Sequence, residues 1–169
     1  IIRSGKLGNV VSENVLCWFY KHKEYFKEGW RIRRGGGPLG INLVHDLDMI
    51  CYLLGSIKYV HAFTTNKTRK YKVEDTATVI LILNSGALCT LNISDTIVAP
   101  WSYELTAGEN PAYPTTNQSA YMIGGTKGSI QFPNLKYWFY KKERSWWNKI
   151  SHKTDINKND DNTLVNQID

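Results

Sequence analysis

An α+β domain, built on an open and mostly antiparallel sheet with helices on one face, is the fold class this chain predicts, and three observations predict it. A single strong helical stretch, 39–54, stands among many short apolar runs set apart by turn residues. Few segments are long enough to cross over between parallel strands, so consecutive strands should pair as a meander, with the helix covering one face. A chain of 169 residues, 42% hydrophobic and 12% aromatic, can bury one proper core but leaves no room for two full domains.

Residues 10–20, rich in Val, Leu and aromatic side chains, read as a strand, and a charged loop runs from there to Arg34. Gly35-Gly36-Gly37 ends extended structure, and Pro38 stands where a helix begins, since its missing N–H costs nothing in the first turn. The helix should close at Gly55. Strands are predicted at 57–64, 77–83, 87–94, 102–107, 119–123, 128–131 and 136–140, with Asn84-Ser85-Gly86 as a hairpin turn. Gly124-Gly125-Thr126-Lys127-Gly128 lacks the spacing and the subsequent helix of a phosphate loop and reads as a tight turn. Residues 1–147 should form the domain. Residues 148–169 should be a polar loop that ends in the capped start of a helix around Asp161 to Ile168, as in a fragment of a longer chain.

The net charge of +6 is uneven: residues 1–36 hold eight Lys/Arg against three Glu, while residues 37–147 hold ten against eight acids. The excess lies in Lys21, Lys23, Lys27, Arg31, Arg33 and Arg34, interleaved with Tyr20, Tyr25, Phe26 and Trp30. This matches no nucleic-acid motif, so an anionic or polyhydroxylated small molecule is the expected partner and nucleic acid is not. No apolar run of about 18 residues points to a membrane. Ile1-Ile2-Arg3-Ser4-Gly5 has no signal-peptide layout, and Cys17, Cys51 and Cys89 form neither a disulfide framework nor a zinc knuckle. The expected setting is the reducing cytoplasm.

Chemistry gathers on the helix. At 100° per residue, Asn42, His45, Asp46 and Met49 fall on one side, while Leu43, Val44, Leu47, Ile50, Cys51 and Leu54 fall on the other. His45 should therefore face away from the core, with Asn42 one turn before it and Asp48 one turn after it. A histidine beside carboxylates suits a general base, because its reference pKa lies near neutrality and a neighbour can fix its tautomer. His45, Asp46 and Asp48 cannot all point at one ion from a single helical turn, so no metal is expected. Further along, Asp95, Trp101 and Glu104 have the chemistry to line a sugar site, with an indole stacking on a ring and carboxylates receiving hydroxyls.

Taken in order, Gly35-Gly36-Gly37-Pro38-Leu39 with Asn42-Leu43-Val44-His45-Asp46-Leu47-Asp48, then Val73-Glu74-Asp75-Thr76, Ser94-Asp95-Thr96, Pro100-Trp101 and Gly125-Thr126-Lys127-Gly128-Ser129-Ile130, resemble the C-terminal domain of Gfo/Idh/MocA oxidoreductases, the glucose-fructose oxidoreductase and inositol dehydrogenase group. The resemblance runs from about Gly5 to Trp147. It implies a substrate-binding domain whose sheet also forms a homo-oligomer interface. NAD or NADP would be bound mainly by an N-terminal Rossmann domain that this chain lacks, since no strand leads into Gly-x-Gly-x-x-Gly. By the resemblance His45 matches the histidine that accepts the substrate hydroxyl proton as hydride leaves the same carbon. Ile41 stands where many members carry a supporting aspartate, so Asp46 or Asp48 is expected to orient His45. Lys21, Arg31, Asn42, Asp46 and Trp101 are expected to contact a sugar or polyol. The rival expectation is a sugar-binding or assembly module of the same fold that has lost the reaction.

Overall fold

The computed structural model describes residues 1–154, so the predicted helix start near the C-terminus lies outside the described residues. Its architecture is the predicted one: eight strands in a single open sheet, one main helix against one face. The strands are β1 (Val10–Trp18), β2 (Ile57–Thr65), β3 (Thr76–Leu83), β4 (Leu88–Ser94), β5 (Tyr121–Gly125), β6 (Gly128–Phe132), β7 (Lys136–Phe139) and β8 (Ser151–Lys153). They lie in the order β2-β3-β4-β1-β5-β6-β7-β8, and every neighbouring pair is antiparallel except β1 with β4. That parallel pair is what places Trp18 level with Ser94, so two strands end side by side at the sheet's centre.

Alternation decides the faces. Ala77, Val79, Leu81 and Leu83 of β3, Cys89, Leu91 and Ile93 of β4, and Val15 and Cys17 of β1 are buried toward the helix layer, where they meet Leu43 and Ile50. Each fully buried side chain of this kind stabilises the fold by about 1.5–3 kcal/mol. The other face stays open: Tyr59 lies level with Ile82 and Phe63 level with Thr78, and Ile80, Ile82 and Leu88 are exposed there.

The helix begins differently from the predicted one. Leu39–Leu43 forms a π-helical turn, and the α-helix α1 runs Val44–Leu54, ending at Gly55 with φ 97°, a conformation glycine adopts without a Cβ penalty. At 100° per residue Asn42, Leu43, Asp46 and Ile50 lie within about 100° of one another, and this is the arc of the helix that packs on the sheet. Asn42, Leu43, Asp46 and Ile50 are buried, whereas Val44, His45, Asp48 and Cys51 are exposed. The expected placement of Asn42 and Asp46 on the outer side and of Val44 and Cys51 on the inner side is therefore corrected.

Two other elements differ. Residues 102–107, expected as a strand, form the short helix α2 (Tyr103–Thr106), capped by the Ser102 hydroxyl, which accepts from Leu105 N at 3.3 Å. The sheet also continues past residue 147: β8 pairs with β7, and the His152 ring packs 4.8 Å from that of Trp138. The charged segment after β1 makes two 3-10 turns, Lys23–Lys27 and Gly29–Ile32, pinned by buried Phe26.

Candidate functional site

The carboxyl ends of the parallel pair are where polar side chains converge, the usual place for a ligand crevice between parallel strands. Past β1 the backbone stays zipped to the end of β4, with Phe19 N donating to Ser94 O at 2.9 Å and Lys21 N to Asp95 O at 2.9 Å. This draws Lys21 inside, where it is 6% exposed. Its ammonium donates to Asn42 Oδ1 at 2.7 Å, and Asn42 Nδ2 donates in turn to Glu104 Oε1 at 3.2 Å. One amide from the π-helical turn thus joins a cation from the β1 end to a carboxylate on α2. Burial lowers the Lys21 pKa, opposed by the nearby charges of Asp95 and Glu104.

The Val-Glu-Asp-Thr and Ser-Asp-Thr segments build the walls of this region. Glu74 Oε1 accepts from Leu39 N at 3.2 Å and so caps the π-helical turn. A Cβ on Gly37 would run into the Glu74 carboxyl, and one on Gly36 into the backbone of Trp30 and Arg31, so these glycines serve a close approach within the protein. Buried Asp75 accepts from Thr68 N at 3.0 Å and Arg69 N at 2.8 Å. That loop delivers Arg69, whose guanidinium binds the Asp95 carboxylate at 2.6 Å and the carbonyl oxygens of Lys21 and Asp95. It also lies 4.2 Å from the Phe26 ring centroid.

Arg31 joins from the second 3-10 turn, with its guanidinium 4.0 Å from the Tyr25 ring centroid and Nη1 donating to Tyr25 O at 2.9 Å. Lys21 Nζ lies 4.9 Å from the same ring. Of the expected substrate contacts, Lys21, Arg31 and Asn42 are therefore brought together. Trp101 is not: its ring packs 5.6 Å from Trp18, whose Nε1 donates to Asn92 Oδ1 at 2.5 Å. Its alternation along β1 puts Trp18 on the face away from Cys17 and Asn42.

His45 is exposed beside this cluster, one helical turn beyond Asn42. Among the described residues no hydrogen bond or ion pair links it to Asp46 or Asp48, so the expected orienting carboxylate is not in contact. Asp48 is exposed on the far turn. Asp46 is 3% exposed and accepts from the Tyr121 hydroxyl of β5. Burial raises the Asp46 pKa to about 6, and the Tyr121 hydroxyl, the Cys17 thiol and the His45 charge offset part of that rise. The same burial and the Asp46 charge push the Tyr121 pKa well up, so the phenol remains the donor. Tyr121 escaped sequence reading because nothing in a strand-start tyrosine marks a carboxylate partner 75 positions away.

The arrangement offers donors at buried Lys21 and half-buried Arg31, an acceptor at Glu104, and an exposed imidazole on the adjoining helical turn. No group of three or more His, Cys, Asp or Glu able to hold a metal occurs among the described residues, and no helix there is long and apolar enough to cross a membrane.

Solved structures resemble this fold. The WlbA dehydrogenase from Chromobacterium violaceum, solved with NADH and UDP-GlcNAcA, is 27% identical with a TM-score of 0.59; the match covers 77% of this chain and 34% of that one. An oxidoreductase from Thermotoga maritima is 20% identical with a TM-score of 0.66, covering 99% of this chain and 44% of that one. Levoglucosan dehydrogenase with NADH and levoglucosan is 17% identical with a TM-score of 0.63, covering 90% and 41%. The latter two likenesses speak for the fold alone. This chain spans less than half the length of each structure. No curated protein sequence matches it. The sequence profile of the GFO/IDH/MocA C-terminal domain does match, over residues 1–131, covering β1 through most of β6 and every residue of the Lys21–Asn42–Glu104 cluster; with the open sheet and the helix that carries His45, this shows that the chain belongs to that domain family.

Proposed function

We propose that this chain is the substrate-binding, base-bearing C-terminal domain of an NAD(P)-dependent oxidoreductase acting on a sugar or polyol hydroxyl. The observation that carries the reading is the Lys21–Asn42–Glu104 array at the carboxyl ends of β1 and β4, with His45 on the next turn of α1. A relative supports the class: the WlbA dehydrogenase, 27% identical, was solved with NADH and UDP-GlcNAcA. Gly36 and Gly37 of the triple glycine pack against protein, and no residue of this chain is assigned to the nucleotide in this reading.

The division of labour derives from the chemistry. A nicotinamide, when bound, supplies the hydride acceptor. Lys21, Arg31 and Asn42 hold the substrate by hydrogen bonds, and His45 takes the proton of the hydroxyl being oxidised, which builds alkoxide character on that oxygen as hydride leaves the carbon bearing it for the acceptor. Holding base and substrate in one frame is the chain's contribution to rate. The open sheet face, with Tyr59, Phe63, Ile80, Ile82 and Leu88, serves as the homo-oligomer interface in this reading. Sedimentation equilibrium of Phe63→Lys against wild type checks that part, with loss of the oligomer expected.

The test is hydride transfer by the full-length protein across a panel of sugars and polyols, monitored by absorbance of the reduced nicotinamide. His45→Asn should lower kcat by about 10²–10⁴-fold, the range a general base supplies, with cofactor Kd unchanged. Undiminished turnover would remove the role. The absence of a carboxylate bonded to His45, with Ile41 one turn before it, favours a second reading: a module that binds sugar without oxidising it. Sugar binding with no hydride transfer to either nicotinamide would select that reading.

A further inference from the structure

Lys21 is buried and Arg31 half-buried, and neither cation is in ion-pair contact with an acid. Lys21 is 6% exposed, and its ammonium spends one of its three N–H donors on Asn42 Oδ1. The single ion pair among the described residues is Arg69 with Asp95, so no carboxylate lies within ion-pair distance of Lys21 or Arg31. The neighbouring acids are already engaged. Asp95 is held by Arg69, Asp46 by the Tyr121 hydroxyl, and Glu104 stands at the far end of the Asn42 amide. Arg31 has a buried Nε with no partner at all. A buried charge or N–H left this way costs free energy that folding has no reason to bear, unless something else fills the place.

The geometry says what fits. The ammonium and the guanidinium both lie against the Tyr25 ring, 4.9 and 4.0 Å from its centroid, and the ring compensates each cation only in part. A guanidinium with a free Nε presents a planar fork matched to the paired oxygens of a carboxylate or phosphate, and a nearby ammonium adds a point charge. On the opposite side of the Asn42 bridge, Glu104 Oε2 is buried without a donor, an acceptor waiting for a hydroxyl.

We infer that the ligand of this site carries an anionic group, a carboxylate or a phosphate, received by Lys21 and Arg31 beside Tyr25, while one of its hydroxyls donates to Glu104. The inference rests on the proposed substrate-site role and narrows it from sugars and polyols in general to their acids or phosphate esters.

Isothermal titration of the full-length protein with D-glucose, D-glucuronate and D-glucose 6-phosphate tests it, because the three share a ring and differ in the charge at one end. The expected result is that at least one anionic sugar binds about tenfold or more tighter than glucose, the effect of one charge-assisted hydrogen bond. Which of the two wins identifies carboxylate or phosphate. Arg31→Gln, at a half-buried position on a surface turn, should erase most of that preference while leaving the circular dichroism spectrum unchanged. Lys21→Gln should do the same where it folds, and Arg31→Gln decides the matter where it does not. Equal affinity for all three sugars, saturation by none of them, or a preference untouched by Arg31→Gln would each overturn the inference. Binding of the anionic sugar without hydride transfer would sink the oxidoreductase reading and leave the anion site standing; turnover of neutral sugars alone would do the reverse.

Discussion

Replacing Glu13 by Gln should make the protein more stable in mild alkali and flatten the dependence of its stability on pH. Glu13 sits at the middle of β1, level with Cys89 of β4 and Ile123 of β5, and is 1% exposed on the face covered by α1. Among the described residues neither carboxyl oxygen meets a donor stronger than a thiol. Burial raises its pKa from 4.5 to about 7; the Cys89 thiol, a weak donor, offsets a little of this and the Asp46 charge adds to it. The folded protein therefore keeps this proton over a range in which the unfolded chain has released it. Stability is full below about pH 4.5, falls as pH rises toward 7, and stays low above that. The displacement corresponds to about 3 kcal/mol at 1.36 kcal/mol per unit. A glutamine has the shape of the protonated acid and does not titrate, so wild type and Glu13→Gln should be alike near pH 5 and differ by about 3 kcal/mol at pH 8. For a chain of this size that is a gain of roughly 6–12 °C in Tm. Urea unfolding of both proteins from pH 4.5 to 8.5 measures the difference directly. Parallel curves across that range would refute the reasoning, since they would mean that Glu13 ionises in the folded protein as easily as in the unfolded one.

Tyr121→Phe removes the only described hydroxyl donor to buried Asp46 and should destabilise the protein by about 1–3 kcal/mol at pH 7.5, with a smaller loss at pH 5, where Asp46 is protonated; urea unfolding at the two values checks the difference. Gly37→Ala should destabilise by about 1–3 kcal/mol, because its Cβ has no room beside Glu74, and adding Glu74→Ala should recover part of that loss in a double-mutant cycle measured by thermal unfolding. Asn42→Leu cuts both arms of the Lys21–Glu104 bridge and should weaken sugar binding at least about tenfold in titration calorimetry while costing stability as well, so Asn42→Asp serves as the control that keeps an acceptor for Lys21. Ser102→Ala removes the cap of α2, the helix that carries Glu104, and should cost about 1 kcal/mol in thermal unfolding.

The order of short apolar runs and turn residues was enough, in the amino-acid sequence, to establish an α+β domain with an open sheet, because alternation along a strand and the hairpin turn at Asn84-Ser85-Gly86 are local properties. The motif string from Gly35 to Asp48, with the segments at 73–76 and 94–96, pointed to the right family for the same reason: its spacing is written in the chain. Lys21, Arg31, Asn42 and Glu104 were visible as residues with suitable chemistry. That Lys21, Asn42 and Glu104 form one connected array, and that Trp101 lies apart with Trp18, was settled by where β1 and β4 end.

Tertiary structure decided what depended on phase and on distant partners. The period of α1 does not say which arc of the wheel packs on the sheet: the docked helix turns Asp46 inward to Tyr121 and Val44 outward, so packing set the boundary between its faces. Four residues of α2 are too few for any periodicity to declare a helix, and Ser151–Lys153 becomes a strand only because β7 offers it an edge. Glu13 looked like an ordinary polar position in a strand; its burial comes from pairing between residues about 75 and 110 positions apart, which no local pattern encodes. Local sequence sets which elements form, and the free energy of packing them sets which side chains share a site.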